Sequence, residues 1–286
     1  MNKIKIFTDS SSDLPKDIAD QKDIELLPLY ITLGEKTYLD DGALSCTDLF
    51  QFVSDNNILP KTAAVNVADY IKSFQPWLDK GYDIVLTTIS TELSSTYQNA
   101  YNAAEALNAQ DRIYLIDSRS LSSGIGLIAL RTAELRDEGK SASEIKSIAE
   151  KEIVPKVSAS FFVPQLDYLY KGGRCSKLSA MVGTTLKLAP QLQLIEGKIV
   201  PGEKYRGNWE KVCKQYFKTT VGNGNEIDKS RVFITHTAPD KKEKRDELMQ
   251  TLKKDFGFEE VIDNYAGATI TSHCGPNTLG VLFIKN

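Results

Sequence analysis

Chemistry in this chain could begin at FTDSSSDLP, residues 7–15, where three serines, Ser10 to Ser12, stand between Asp9 and Asp13. Two more hydroxyl-rich stretches follow, TTISTELSS at 87–95 and DSRSLSSG at 117–124, and there are two histidines, His236 and His273. Serine hydrolysis needs a nucleophile on a strained turn, a base within reach and an oxyanion hole. The usual GxSxG elbow is absent, and Ser94, at a strand-to-helix junction, reads as an N-cap rather than as a nucleophile. Asp9 lacks the second aspartate with which a phosphatase-type site protonates its leaving group.

Nucleotide and metal chemistry have no positive sign. Neither GxxxxGK[ST] nor GxGxxG follows a strand, and SSGIGL at 122–127 supplies only two glycines. The histidines have no ligand partners at metal-binding spacing. What remains is an anion site built from hydroxyls: Thr62 in LPKTAAVN, expected in a loop before a helix near residue 67, Ser94 at a helix start, and His273 in TSHCGPNTLG. Hydroxyls and helix-terminal amides suit a carboxylate or a phosphate, although a lone histidine beside Cys274 and Gly275 also reads as a structural residue.

These groups must be held by a framework, and 286 residues allow about two domains. Hydrophobic residues at 41% and charged residues at 26% exclude a disordered or fibrous chain. Neither a signal-peptide core nor a run of ~18 apolar residues is present, so a cytoplasmic protein is expected. Cys46, Cys175, Cys213 and Cys274 lie far apart and read as free thiols. The net charge of −3 is uneven, acidic before residue 160 and basic after it. Between Lys171 and Arg206 basic residues outnumber acids, a patch that suits phosphate, an acidic partner, an anionic membrane or plain solvent.

Periodicity predicts strands at 3–8, 24–33, 82–90 and 112–118, with helices starting at Pro15 and over 93–107, 122–138 and 142–153. Such alternation implies a parallel sheet with ligands outside the carboxyl ends of its strands, where the three hydroxyl-rich loops would gather. A change of pattern near 155–165 marks the expected boundary between domains 1–158 and 159–286. The second is expected to hold helices at 177–187, 208–220 and 240–255 and strands at 190–195, 198–205, 231–236, 259–264 and 280–284.

With these segments in view the chain resembles the DegV family of bacterial fatty-acid-binding proteins, the substrate-presenting subunits of fatty acid kinase. The resemblance spans nearly the whole chain and rests on FTDSSSDLP, KTAAVN (61–66), ISTELSSTYQNA (89–100), IDSRSLSSGIG (116–126), LDYLYKGGRCS (166–176) and SHCGPNTLGVLF (272–283). It implies a two-domain α/β fold: a mostly parallel N-terminal sheet flanked by helices, a mixed C-terminal domain, and an acyl chain buried between and within them. It also implies that Thr62, Ser94 and His273 hold the carboxylate and that Arg174, Arg206 and Lys171 face the kinase or the phosphorylated head group. Asp9, Ser10, Ser11 and Ser95 would support the site through turn and backbone hydrogen bonds.

The chain departs from the family pattern at Ala63 and Ala64, usually serine and glutamine, and at Ser95 and Asn277, usually glycines. The expectation is a non-enzymatic carrier of a C14 to C18 fatty acid such as palmitate, linked to phospholipid metabolism. It would have no cofactor, no metal, no nucleic-acid partner and at most transient membrane contact. The rival is an acyl-ester hydrolase using Ser94 and His273.

Overall fold

The computed structural model describes residues 2–175 and 188–286. The helix expected at 177–187, with Lys177 and Lys187, lies outside the described residues. Four strands, β1 (Ile4–Asp9), β2 (Ile24–Leu27), β6 (Asp83–Thr88) and β7 (Ile113–Asp117), form an all-parallel sheet in the order β2-β1-β6-β7. β1 is buried along its whole length, as a strand covered on both faces must be. Helices α1 (Lys16–Gln21), α3 (Val67–Asp79), α4 (Thr96–Ala106), α5 (Ser123–Asp137) and α6 (Ala142–Ile148) complete this part.

The single strand expected at 24–33 is two. β2 stops at Leu27, and β3 (Tyr30–Leu33) belongs instead to a small antiparallel sheet with β4 (Lys36–Leu39) and β5 (Lys61–Ala63), in the order β4-β3-β5. Pro28 lies between them; without an N–H it cannot extend a ladder, and the chain changes sheet there. Thr62 is therefore held by strand pairing opposite Ile31, not in a loop as expected.

The remaining strands are β8 (Val157–Phe162), β9 (Leu188–Ile195), β10 (Lys198–Arg206), β11 (Ile227–His236), β12 (Glu260–Tyr265) and β13 (Leu279–Lys285). They form a mixed sheet ordered β10-β9-β8-β13-β11-β12, antiparallel except for β11 and β12. α8 (Trp209–Val221) and α9 (Lys242–Lys254) flank it, while α2 (Cys46–Asn56) and α7 (Asp167–Lys171) pack on α10 (Ala268–Cys274), which itself touches β3 and β5.

α5 packs on β1 and β6 of the parallel sheet and on β8 and β13 of the mixed one. Its residues 123–130 are all buried, the pattern of a helix enclosed on every side. Ile6 and Val85 from the first sheet and Phe233 and Leu282 from the second meet Ile128 in one apolar cluster. The expected α/β class, with a parallel N-terminal sheet and a mixed C-terminal one, is what forms.

Candidate functional site

The carboxyl ends of β1, β6 and β7 bring the three hydroxyl-rich loops together. Asp9 holds the first two: its carboxylate accepts from Ser11 N at 3.0 Å and from Ile89 N at 2.8 Å, and Ser11 Oγ also donates to it. Ser90 N donates to Ser120 O at 3.0 Å, joining the second loop to the third. Burial without a countercharge pushes the Asp9 carboxyl up to about 6, against the pull of its hydrogen bonds. Ser10 to Ser12 form a single 3-10 turn, so this cluster builds the loop edge.

Beside that edge lies a narrow cavity of about 50 Å³ lined by Thr62, Ser94, Thr269 and His273, with Leu93 and Ile199 among its apolar walls. Thr62 Oγ1 and His273 Nε2 are 2.8 Å apart. Ser94 Oγ is 2.8 Å from Thr96 Oγ1 and accepts from Thr96 N at the start of α4. A second cavity of about 20 Å³ adjoins it and shares Leu121, Ile270 and Cys274 as walls, with Phe161 and Leu282 beyond. The hydroxyls of Ser122, Thr237 and Thr278 in that second wall are bonded to protein acceptors. Their methyl and methylene faces remain for an apolar guest.

His273 sits on α10, which the β-branched run ATIT made illegible as a helix. Two buried carboxylates anchor its first turn. Asp40 accepts from Ala268 N at 2.9 Å and Thr269 N at 3.2 Å, and from Ser10 Oγ at 2.9 Å. Asp13 accepts from Gly267 N at 2.8 Å and Ser122 Oγ at 2.5 Å. Ser10 thus acts on the cavity through Asp40 and α10.

On the opposite side, Gly172 of KGGR lies so close to His273 that a Cβ there would come within 2.5 Å of Nδ1. Nδ1 is shut off from solvent and has no hydrogen-bond partner among the described residues. Burial first, and the Arg174 charge second, hold the imidazole down to about 4, so it is neutral near pH 7. Arg174 lines the same cavity and donates through Nη1 to Gly172 O at 2.7 Å.

The β9–β10 turn precedes Ile199, which lines the cavity. Glu196 and Gly197 both have positive φ, the geometry of a tight hairpin turn. Ser90 Oγ donates to Gly197 O at 2.8 Å and Arg119 to Glu196 O at 2.6 Å, so the turn rests on the loop that leads to Ser94.

Thr62, Ser94, His273 and Arg174 are brought together; Arg206, exposed at the end of β10, and Lys171, exposed at the end of α7, do not line the cavity. A groove of about 590 Å³ lies elsewhere, lined by Lys5 and Lys16 but by more acids, among them Asp20, Asp23, Glu25 and Asp41. Those acids would repel an anion. Among the described residues a Ser–His–acid triad is not assembled at Ser94: His273 spends Nε2 on Thr62, and no carboxylate orients Nδ1. Among the described residues no group of three or more His, Cys, Asp and Glu could hold a metal ion, and no helix is long and apolar enough to cross a membrane.

The model of the DegV family, described as uncharacterised proteins, matches residues 3–286. The chain belongs to the DegV family. A DegV domain-containing protein of Clostridium acetobutylicum is 31% identical over 100% of this chain and 99% of its own length. The fatty acid-binding protein of Thermotoga maritima is 30% identical, covering 97% and 96% respectively. The fatty-acid-binding DegV family protein of Thermus thermophilus superimposes with a TM-score of 0.87 at 29% identity, over 100% of both chains.

Two of the departures expected from the resemblance are accommodated locally in this DegV chain. Asn277 keeps the left-handed conformation, φ 62°, that a glycine would take, and asparagine tolerates it better than most residues. Ser95 has φ −82°, so its Cβ meets no backbone conflict. Ala63 and Ala64 line the cavity and add apolar surface. Two features escaped the sequence reading: Asp40, which gives no sign in the sequence that it caps a helix 228 residues away, and Thr269.

Proposed function

We propose that this chain binds a long-chain fatty acid, holds its carboxylate at Thr62, Ser94 and His273, and presents that carboxylate to a separate fatty acid kinase that forms the acyl-phosphate. The observation that carries the reading is the joining of a hydroxyl–imidazole cluster to two apolar cavities with shared walls. The fatty acid-binding relative from Thermotoga maritima and the Thermus thermophilus structure support the same ligand class.

Burying about 14 methylenes of a palmitate-sized chain is worth on the order of 11 kcal/mol before ordering costs. Cavities of 50 and 20 Å³ are far below the ~300 Å³ at which ligand pockets begin, so the acyl chain enters by parting Leu121, Ile270 and Cys274. The head group then meets neutral donors, which satisfy a carboxyl without locking it in an ion pair and leave an oxygen free to receive phosphate.

The chain itself supplies no phosphoryl chemistry and acts as a cytoplasmic carrier. Arg174, which lines the cavity, would meet the kinase or the phosphorylated product, with Lys171 and Arg206 as outlying basic groups for docking or brief membrane contact. The test is phosphorylation of bound palmitate by a fatty acid kinase. Arg174→Glu is expected to take up palmitate normally and to be phosphorylated at least tenfold more slowly. Unchanged phosphorylation removes the docking role, and failure of the parent protein to bind palmitate removes the carrier reading.

A further inference from the structure

We propose that Thr269 is a further ligand-contact residue, a third hydroxyl donor to the head-group carboxylate; the proposal rests on the fatty-acid reading above. Thr269 and His273 lie four residues apart on α10, so their side chains share one stripe of the helix, and both line the cavity with Thr62 and Ser94.

The other hydroxyls around α10 have protein partners. Thr271 Oγ1 donates to Ala266 O at 3.0 Å, Ser272 Oγ to Ala268 O at 2.7 Å and Thr278 Oγ1 to Cys274 O at 2.9 Å. Thr269 Oγ1 is buried and has none among the described residues. Buried hydroxyls are almost always paired, so an exception inside a cavity marks where a guest atom belongs. The backbone beneath it is fixed, because Thr269 N donates to Asp40.

The count of donors identifies the guest atom. An ionised carboxylate accepts at about four lone-pair positions. Thr62 and His273 are already engaged with each other, and Ser94 shares its hydroxyl with Thr96. Those three groups alone leave the carboxylate short of donors, and Thr269 fills the deficit.

The experiment measures binding of palmitate and of 3-hydroxypalmitate, with the melting temperature, for the parent protein, Thr269→Val and Thr269→Ser. Valine keeps the shape and removes the hydroxyl. The expected result is a loss of about tenfold in affinity for both ligands in Thr269→Val, at an unchanged or higher melting temperature, with recovery in Thr269→Ser. A purely structural role would lower the melting temperature instead. Parent-like palmitate binding by Thr269→Val overturns the assignment and leaves the carrier reading intact, as does a loss confined to 3-hydroxypalmitate, which would move the contact to the acyl chain. A parent protein that binds neither ligand removes both.

Discussion

Thr62 and His273 are 211 positions apart in the chain and 2.8 Å apart in the structure. One is fixed by the β3–β5 ladder and the other by α10. For Thr62 to donate to a carboxylate, its oxygen must accept from His273, so the imidazole carries its proton on Nε2. Ligand entry then adds an anion beside a neutral ring. The anion raises the ring's affinity for a proton from its low starting point, so the expected consequence is uptake of a fraction of a proton per fatty acid bound near pH 7. Calorimetric titration in phosphate and in Tris would reveal it, since binding enthalpy must then vary with the buffer. Equal enthalpies would show that the acid binds as the anion without protonating its site.

The same histidine affects stability. Its folded value, about 4, lies below its ordinary 6.5, so the unfolded chain binds the extra proton between those values. The contribution is full above pH 6.5 and is lost as pH falls towards 4, by up to about 3 kcal/mol. His273→Gln should flatten this part of the stability profile. Asp9 works in the opposite sense: its folded value is raised to about 6, so its contribution is largest below its ordinary 3.8 and is lost as pH rises towards 6. Denaturant titrations of both proteins from pH 4 to 7 decide the matter, and parallel profiles would refute a buried neutral imidazole.

Asp40 ties the first turn of α10 to the FTDSSSDLP loop. Asp40→Ala leaves Ala268 N, Thr269 N and Ser10 Oγ without their acceptor, and a loss of about 2 to 4 kcal/mol is expected. Palmitate affinity should fall with it, because Thr269 and His273 share that helix. Asp41→Ala, whose exposed carboxylate accepts only from Ala43 N among the described residues, serves as the comparison and should change stability by less than about 1 kcal/mol.

The parallel strands were legible because β1, β6 and β7 carry dense β-branched and aromatic runs bounded by polar turns. The break at Pro28 was missed because residues on both sides of it favour strands. Ser94 stands in a hydroxyl-rich stretch of the sequence, whereas Thr62, in LPKTAAVN, gave no sign of the strand that holds it. His273 could be named, but its helix could not be drawn, since Asp40 and Asp13 hold α10 through tertiary hydrogen bonds that no local propensity encodes. Thr269 looks in sequence like any buried threonine; only its missing partner separates it from Thr271.

The two glycines of KGGR have different tasks, which substitution separates. A Cβ at Gly172 would press on His273 Nδ1 at 2.5 Å and on Tyr168 O at 2.8 Å, whereas Gly173 faces open space but has φ +72°. Gly172→Ala should cost about 1 to 3 kcal/mol and displace the imidazole, weakening palmitate binding. Gly173→Ala should cost about 1 kcal/mol through backbone strain alone and bind as the parent does. Equal affinities for the two variants would contradict the placement of Gly172 against the ring.

The most direct test of the fatty-acid reading is mass spectrometry of the organic extract of the natively purified protein, beside a folded Thr62→Ala plus Ser94→Ala double variant. About one equivalent of a C14 to C18 fatty acid in the parent, depleted in the variant, is the expected result. A parent protein that carries none and takes up neither added palmitate nor added oleate would contradict the account.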